Sequence, residues 1–274
     1  MPTYAPITWD AAADRKYEYG VSKGVLYRMD INGEYNNAVA WNGLINVTDS
    51  PEGADLTKFW ADNIEYASMR AAEEYKASVE AYTYPEEFAA CDGSATPIDG
   101  MYVGQQNRER FGMCWRTEIG NANTENLGYK IHVAYGLTAT PTEKSHDTVN
   151  DSPDAGTFSW DFDGMPVPMA GYKPTAKIEF DSTKLGAAKM AKLEEILYGS
   201  AGSYEYEQFT GSAFVYGQQY YERTGETGAY VYVLTQDTSK QSDKTYYTKT
   251  TTGGAAAHLP MPDAILTALQ AVTD

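Results

Sequence analysis

Four segments of this chain alternate apolar and polar residues with a period of two, and this alternation restricts the possible folds more than any other feature. Over residues 73–84, Ala77, Val79 and Ala81 fall on one side and Lys76, Ser78 and Glu80 on the other, until Pro85 ends the run. Over 129–135, Ile131 and Val133 oppose Lys130 and His132, the histidine being placed on the wet side. Residues 157–162 put Phe158, Trp160 and Phe162 on one face, and Ala176, Ile178 and Phe180 oppose Lys177, Glu179 and Asp181. Strands with one dry and one wet face build antiparallel sheets. An earlier strand opens at Val25-Leu26-Tyr27, and Ile31-Asn32-Gly33 and Asn42-Gly43 are turn signals.

One helix is predicted, over residues 185–198, with Met190, Leu193, Ile196 and Leu197 as its apolar stripe. Asp181-Ser182-Thr183 supplies N-cap groups and Gly199 stands where a C-terminal glycine belongs. The first ~20 residues read as an arm. Residues 48–62, broken by Pro51 and Gly53, read as a long loop carrying Phe59 and Trp60, of the kind used at partner surfaces.

After Gly199 the composition turns to Tyr, Gly, Thr and Ser. The run Gly217-Gln218-Gln219-Tyr220-Tyr221-Glu222-Arg223-Thr224 is echoed by Asp243-Lys244-Thr245-Tyr246-Tyr247-Thr248-Lys249-Thr250, with a strand at 230–234 between them. The chain therefore divides into a core with its arm at 1–199, a small β module or decoration at 200–257, and a C-terminal segment at 258–274 that returns to the core. Tyr220, Tyr221, Tyr246 and Tyr247 are candidate exposed aromatics for stacking on sugars or proteins.

Catalytic signatures are missing: no Gly-rich phosphate loop, nucleophile elbow or paired-Cys motif occurs. His132, His146 and His258 are far apart, without partners at metal-ligand spacing. Cys91 and Cys114 make no disulfide framework and read as buried free thiols. No apolar run approaches a membrane span and no secretory leader is read at the N-terminus. The expectation is a non-enzyme with no catalytic, cofactor-binding or metal residues. A formal charge of −17 argues against a surface that grips nucleic acid. Residues 200–257 hold six acids and four bases, so −15 resides in the rest.

An ordered series of phrases resembles the major tail tube protein family of long-tailed bacteriophages. It begins with Trp41-Asn42-Gly43-Leu44, Asp49-Ser50-Pro51-Glu52-Gly53, Ala61-Asp62-Asn63-Ile64 and Glu80-Ala81-Tyr82-Thr83-Tyr84-Pro85-Glu86. It continues through Arg116-Thr117-Glu118-Ile119-Gly120-Asn121, Val149-Asn150-Asp151-Ser152-Pro153, Gly171-Tyr172-Lys173-Pro174-Thr175-Ala176 and Leu193-Glu194-Glu195-Ile196-Leu197-Tyr198-Gly199. Leu259-Pro260-Met261-Pro262-Asp263 resembles the family's closing phrase, and residues 200–257 have no counterpart.

The resemblance implies a mainly β (α+β) fold of two packed antiparallel sheets flanked by one helix, with the module as an insertion. It implies a virion protein, assembled in the host cytoplasm, whose hexameric rings stack into a tail tube. The partners so implied are further copies of the chain, tail tip or baseplate and tail terminator proteins, and a tape measure protein in the lumen. DNA would pass an acidic lumen without specific binding, and no membrane insertion is implied. Candidate ring-to-ring or subunit contacts are Trp41, Phe59, Trp60, Leu259 and Met261. The alternative is a free-standing surface-binding module, an adhesin or glycan binder.

Overall fold

The computed structural model describes residues 7, 9–10, 12–144, 148, 155–215, 218–225 and 230–273, apart from the side chains of 251–252. His146, the phrase at 149–153, Gly217 and much of the expected N-terminal arm lie outside the described residues. The fold is mainly β, with several antiparallel sheets. The chain divides into two compact units, Met1–Tyr198 with Ala257–Asp274, and Gly199–Ala256.

The strands of the first unit are β1 (Lys16–Arg28), β2 (Asn37–Trp41), β3 (Leu44–Asp49), β4 (Glu52–Gly53), β5 (Leu56–Ala61), β6 (Ile64–Arg70), β7 (Glu73–Ala81), β8 (Phe111–Asn121), β9 (Thr124–Thr140), β10 (Phe158–Gly164) and β11 (Lys177–Asp181). Nine of them form one sheet with the path β2-β1-β8-β9-β10-β7-β3, in which β11 also pairs with β9 and β4 with β7. The two ends of this path, β2 and β3, are joined by Asn42-Gly43 alone, so the sheet must curl until its first and last strands meet. At the seam β1 and β3 are so close that a Cβ on Gly24 would lie 2.4 Å from Leu44 Cδ1.

Inside the curl lies an aromatic core that includes Leu26, Trp41, Phe88, Phe111, Trp160 and Phe162. Its rings meet mostly edge to face, as for Trp41 on Trp160 (5.6 Å between centroids) and Phe111 on Phe162 (5.1 Å). The opposite face of the sheet, with Tyr27, Val133 and Tyr135, is covered by α2 (Ala187–Tyr198) and α3 (Pro262–Gln270) through Met190, Leu193, Leu197, Ile265 and Leu269. Each large apolar side chain buried this way contributes about 1.5–3 kcal/mol.

Strand β9 serves both cores. Ile131, Val133 and Tyr135 face the helices, whereas Leu137 and Ala139, two and four residues beyond Tyr135, face the aromatic core. A period of two cannot do this unaided; one extra residue in β9 between its pairings Met113↔Ala134 and Phe111↔Leu137 reverses the phase. Gly136 sits in that bulge at φ +62°.

The observed sheets differ from two packed sheets with one flanking helix. Among the described residues they are one curled nine-stranded sheet, a separate two-stranded ribbon (β5–β6) and a four-stranded sheet in the second unit. The predicted helix is α2, beginning after Gly186 (φ +88°); the expected cap residues instead open a separate short helix, α1 (Ser182–Leu185), and α3 adds a further helix. Asp181 caps α1 by accepting a hydrogen bond from Thr183 N at 2.8 Å. Strand β1 begins nine residues before Val25; its first half is exposed, so it leaves no alternating signature although it pairs with β8.

The second unit contains β12 (Ser203–Gln208), β13 (Tyr220–Thr224), β14 (Val231–Leu234) and β15 (Tyr246–Thr252) in the order β12-β15-β13-β14. The two echoing runs become β13 and β15, which are antiparallel neighbours. The chain enters and leaves this unit side by side, Ser200 and Ala255 exchanging backbone hydrogen bonds.

Candidate assembly interface

Residues 48–62 are not an irregular loop. Strands β3 and β4 run one after the other against β7, and β5 against β6, so the sheet edge continues outward as a two-stranded ribbon. Ala71 N–H donates to Asp55 O (2.9 Å) and Ala54 N–H to Ala72 O (3.2 Å), carrying the pairing across the gap. Gly53 (φ +83°) makes the join; a Cβ there would lie 2.7 Å from Ala72 O. At the tip Asp62 and Asn63 both have positive φ (50° and 61°), the primed turn that suits the right-handed twist of hairpin strands. Pro51 and Gly53 conceal this strand in the sequence, whereas the Asp62-Asn63 pair could have disclosed it.

Every residue of β5 and β6 is exposed. Among them Trp60, Ile64, Tyr66 and Met69 keep 66%, 63%, 75% and 65% of their surface in water, and Leu56 and Phe59 are also exposed. The register puts Thr57, Phe59, Ala61, Ile64, Ala67 and Met69 on one face, without a charge. The other face carries Leu56 and Trp60 with Lys58, Glu65 and Arg70, and Lys58 pairs with Glu65 at 2.8 Å. Tyr66 is the extra residue of a bulge. An isolated two-stranded hairpin is marginal in water, and an apolar ribbon with two open edges is a template for pairing with another chain.

Of the predicted contact residues, Phe59 and Trp60 stand on this ribbon, and Met261 is 40% exposed at the N-cap of α3. Trp41 and Leu259, expected at contacts, are instead buried, each only 2% exposed. Trp41 donates its indole N–H to Thr83 O (3.1 Å) and packs on Phe88 inside the curl, and Leu259 lies in the core beneath the helices. Ile64, Tyr66 and Met69 join the ribbon surface without any hydrophobic period in the sequence to mark them.

The tyrosines of the second unit expected to be exposed are not. Tyr220, Tyr246 and Tyr247 are buried and Tyr221 is half-buried. Tyr220 and Tyr246 pack with Phe214 on one face of the sheet, where a small unit needs its largest rings for a core.

His132 shares a strand face with Lys130, as the alternation implies, but it is only 5% exposed because neighbouring strands cover it. Its Nε2 lies 2.8 Å from Thr117 Oγ1 and 3.1 Å from Glu18 Oε1, and its Nδ1 3.4 Å from Glu179 Oε1. The Thr117 hydroxyl donates to Glu18, so Nε2 carries the imidazole proton. Burial, and then the Lys177 ammonium, hold His132 below its ordinary range. Partial burial pushes Glu18 and Glu179 up, but Lys130 with Thr117 and Lys177, respectively, overcome it and hold both below the ordinary carboxylate range.

Among the described residues no group of three His, Cys, Asp or Glu side chains is placed to hold a metal ion. Cys91 and Cys114 are free and buried, and burial pushes each thiol up to about 12, far from a reactive thiolate at neutral pH. No helix among the described residues is long and apolar enough to cross a membrane. No protein-family model matches the chain, and no curated protein matches it.

Proposed function

We propose that this chain is a structural subunit that polymerises into a tube of the kind built by the major tail tube proteins of long-tailed bacteriophages, with hexameric rings stacked into a conduit for DNA. The observation that carries the reading is the β5–β6 ribbon, whose large apolar side chains all stay exposed among the described residues. A ribbon of this kind gains its stability from a neighbouring copy. In this reading the ribbon of one copy docks on a different surface of the next, a head-to-tail contact that propagates into rings or filaments. The ordered tail-tube phrases support the same reading, in which the mainly β fold is of the tail-tube kind.

The charge of −17 suits a wall past which DNA slides without counterion-release binding. Tail tip or baseplate, terminator and tape measure proteins are then the partners, and the phage tail is the location. Electron microscopy of the concentrated protein, with and without a tail primer, tests the proposal. Uniform tubes of stacked rings are expected; monodisperse particles under both conditions would overturn it in favour of a free-standing binding module.

A further inference from the structure

The four-stranded sheet of the second unit sorts its charges by face. Register places Tyr204, Tyr206, Tyr221, Tyr232 and Tyr247 on one side with Arg223 and Lys249. The strand carboxylates Glu205, Glu207 and Glu222 all point to the other side, with Tyr220 and Tyr246. Ring contacts agree with this assignment: Tyr206 stacks on Tyr232 at 3.9 Å and meets Tyr221 edge-on at 5.3 Å.

The cations are treated differently on the two sides. Lys244 is paired with Asp237 (2.9 Å) and Glu222 (3.3 Å), and Lys240 donates to Gly211 O (2.6 Å). Arg223 and Lys249 are exposed, and among the described residues no carboxylate lies within ion-pair distance of either. Each rests on an aromatic ring instead: Arg223 lies 4.1 Å from the centroid of Tyr230, and Lys249 Nζ 3.4 Å from that of Tyr204. In a chain with a net charge of −17, two such cations set among tyrosines are a local reversal of sign. At physiological salt the remaining charge is screened beyond about 8 Å.

We propose that this tyrosine face binds an anionic polysaccharide whose sugar rings carry carboxylates. The apolar face of one sugar lies on the exposed ring of Tyr204, the half-buried Tyr206, Tyr221 and Tyr232 form the floor beside it, and the carboxylates are met by Arg223 and Lys249. This site replaces the four tyrosines expected from the sequence: Tyr220 and Tyr246 point to the opposite face, Tyr247 is buried beneath this one, and only Tyr221, half-buried, reaches its surface. It rests on the second unit alone, so tube formation and sugar binding can fail separately.

The test is calorimetry of the full chain with polygalacturonate, and with dextran as the neutral polymer. Polygalacturonate is expected to bind, more weakly as salt is raised, and dextran not to bind. Arg223→Gln with Lys249→Gln should weaken binding about tenfold or more, since each removes a charge-assisted contact. Lys244→Gln, on the opposite face, should leave it unchanged. All three positions are exposed, and circular dichroism checks that the variants fold. Failure of polygalacturonate to bind, equal binding of dextran, or an unaffected double variant overturns the proposal. So does self-association that the double variant abolishes in sedimentation without any polysaccharide binding, which would make this face a contact between copies.

Discussion

The imidazole of His132 lies flat against the indole of Trp115, ring centres 5.3 Å apart and planes 9° from parallel. The two face each other across the β8–β9 ladder, with Glu179 directly opposite His132 on β11. Stability should therefore depend on pH. The folded His132 holds its proton less tightly than the unfolded chain does, whose histidine titrates near about 6.5. As pH falls below that value the unfolded state binds more protons, and stability falls until the folded pKa is passed. Glu18 and Glu179, held low in the fold, add a further loss as pH falls below about 4.5. Urea unfolding across this range should show a decline below neutrality that His132→Gln flattens; an unchanged profile in that variant would remove His132 as its source.

Tyr27 donates its hydroxyl to Leu197 O at 2.6 Å, tying β1 to the last turn of α2, and also contacts Cys114 Sγ at 3.2 Å. Tyr27→Phe leaves that buried carbonyl without this partner and should cost about 1–3 kcal/mol. Denaturant midpoints at constant m-value measure it.

Gly136→Ala should be more damaging than an ordinary glycine replacement. The residue has φ +62°, and a Cβ would lie 2.5 Å from Met165 O. Left-handed strain alone costs about 1–2 kcal/mol, and the clash adds to it. A melting temperature equal to the parent's would contradict the role of the bulge in turning β9 from one core to the other.

Trp60→Ser with Tyr66→Ser alters only exposed ribbon residues, so monomer stability should stay within about 0.5 kcal/mol. Tube formation should be lost or need a much higher protein concentration, as seen by electron microscopy. Tubes at the parent's concentration would exclude the ribbon as the assembly contact.

Replacing residues 200–256 by a short glycine linker should leave the first unit folded, because Ser200 and Ala255 are already hydrogen-bonded neighbours. Circular dichroism and microscopy of the excised chain check this; loss of fold or of tubes would make the second unit structural rather than a decoration.

Much of the first unit was legible because its signals are local. The alternation of Ala77, Val79 and Ala81, the Asn42-Gly43 turn and the stripe Met190, Leu193, Ile196 and Leu197 each follow from the geometry of a few neighbouring residues, and the structure buries those apolar positions. The candidate site was legible only at Phe59 and Trp60. Its strands lack a buried face, so no hydrophobic period marks them.

By itself the sequence determined the strand character of the alternating segments, the apolar stripe of α2, the Asn42-Gly43 turn and the surplus of acid. Only the tertiary structure decided what each aromatic faces. Trp41 went to the core and Trp60 to water, and Tyr246 went inside while Tyr204 stayed out, because exposure depends on which distant strands lie alongside. The same holds for His132: its strand face follows from a period of two, but its burial comes from side chains on β1, β8 and β11, which are its neighbours only in the folded sheet.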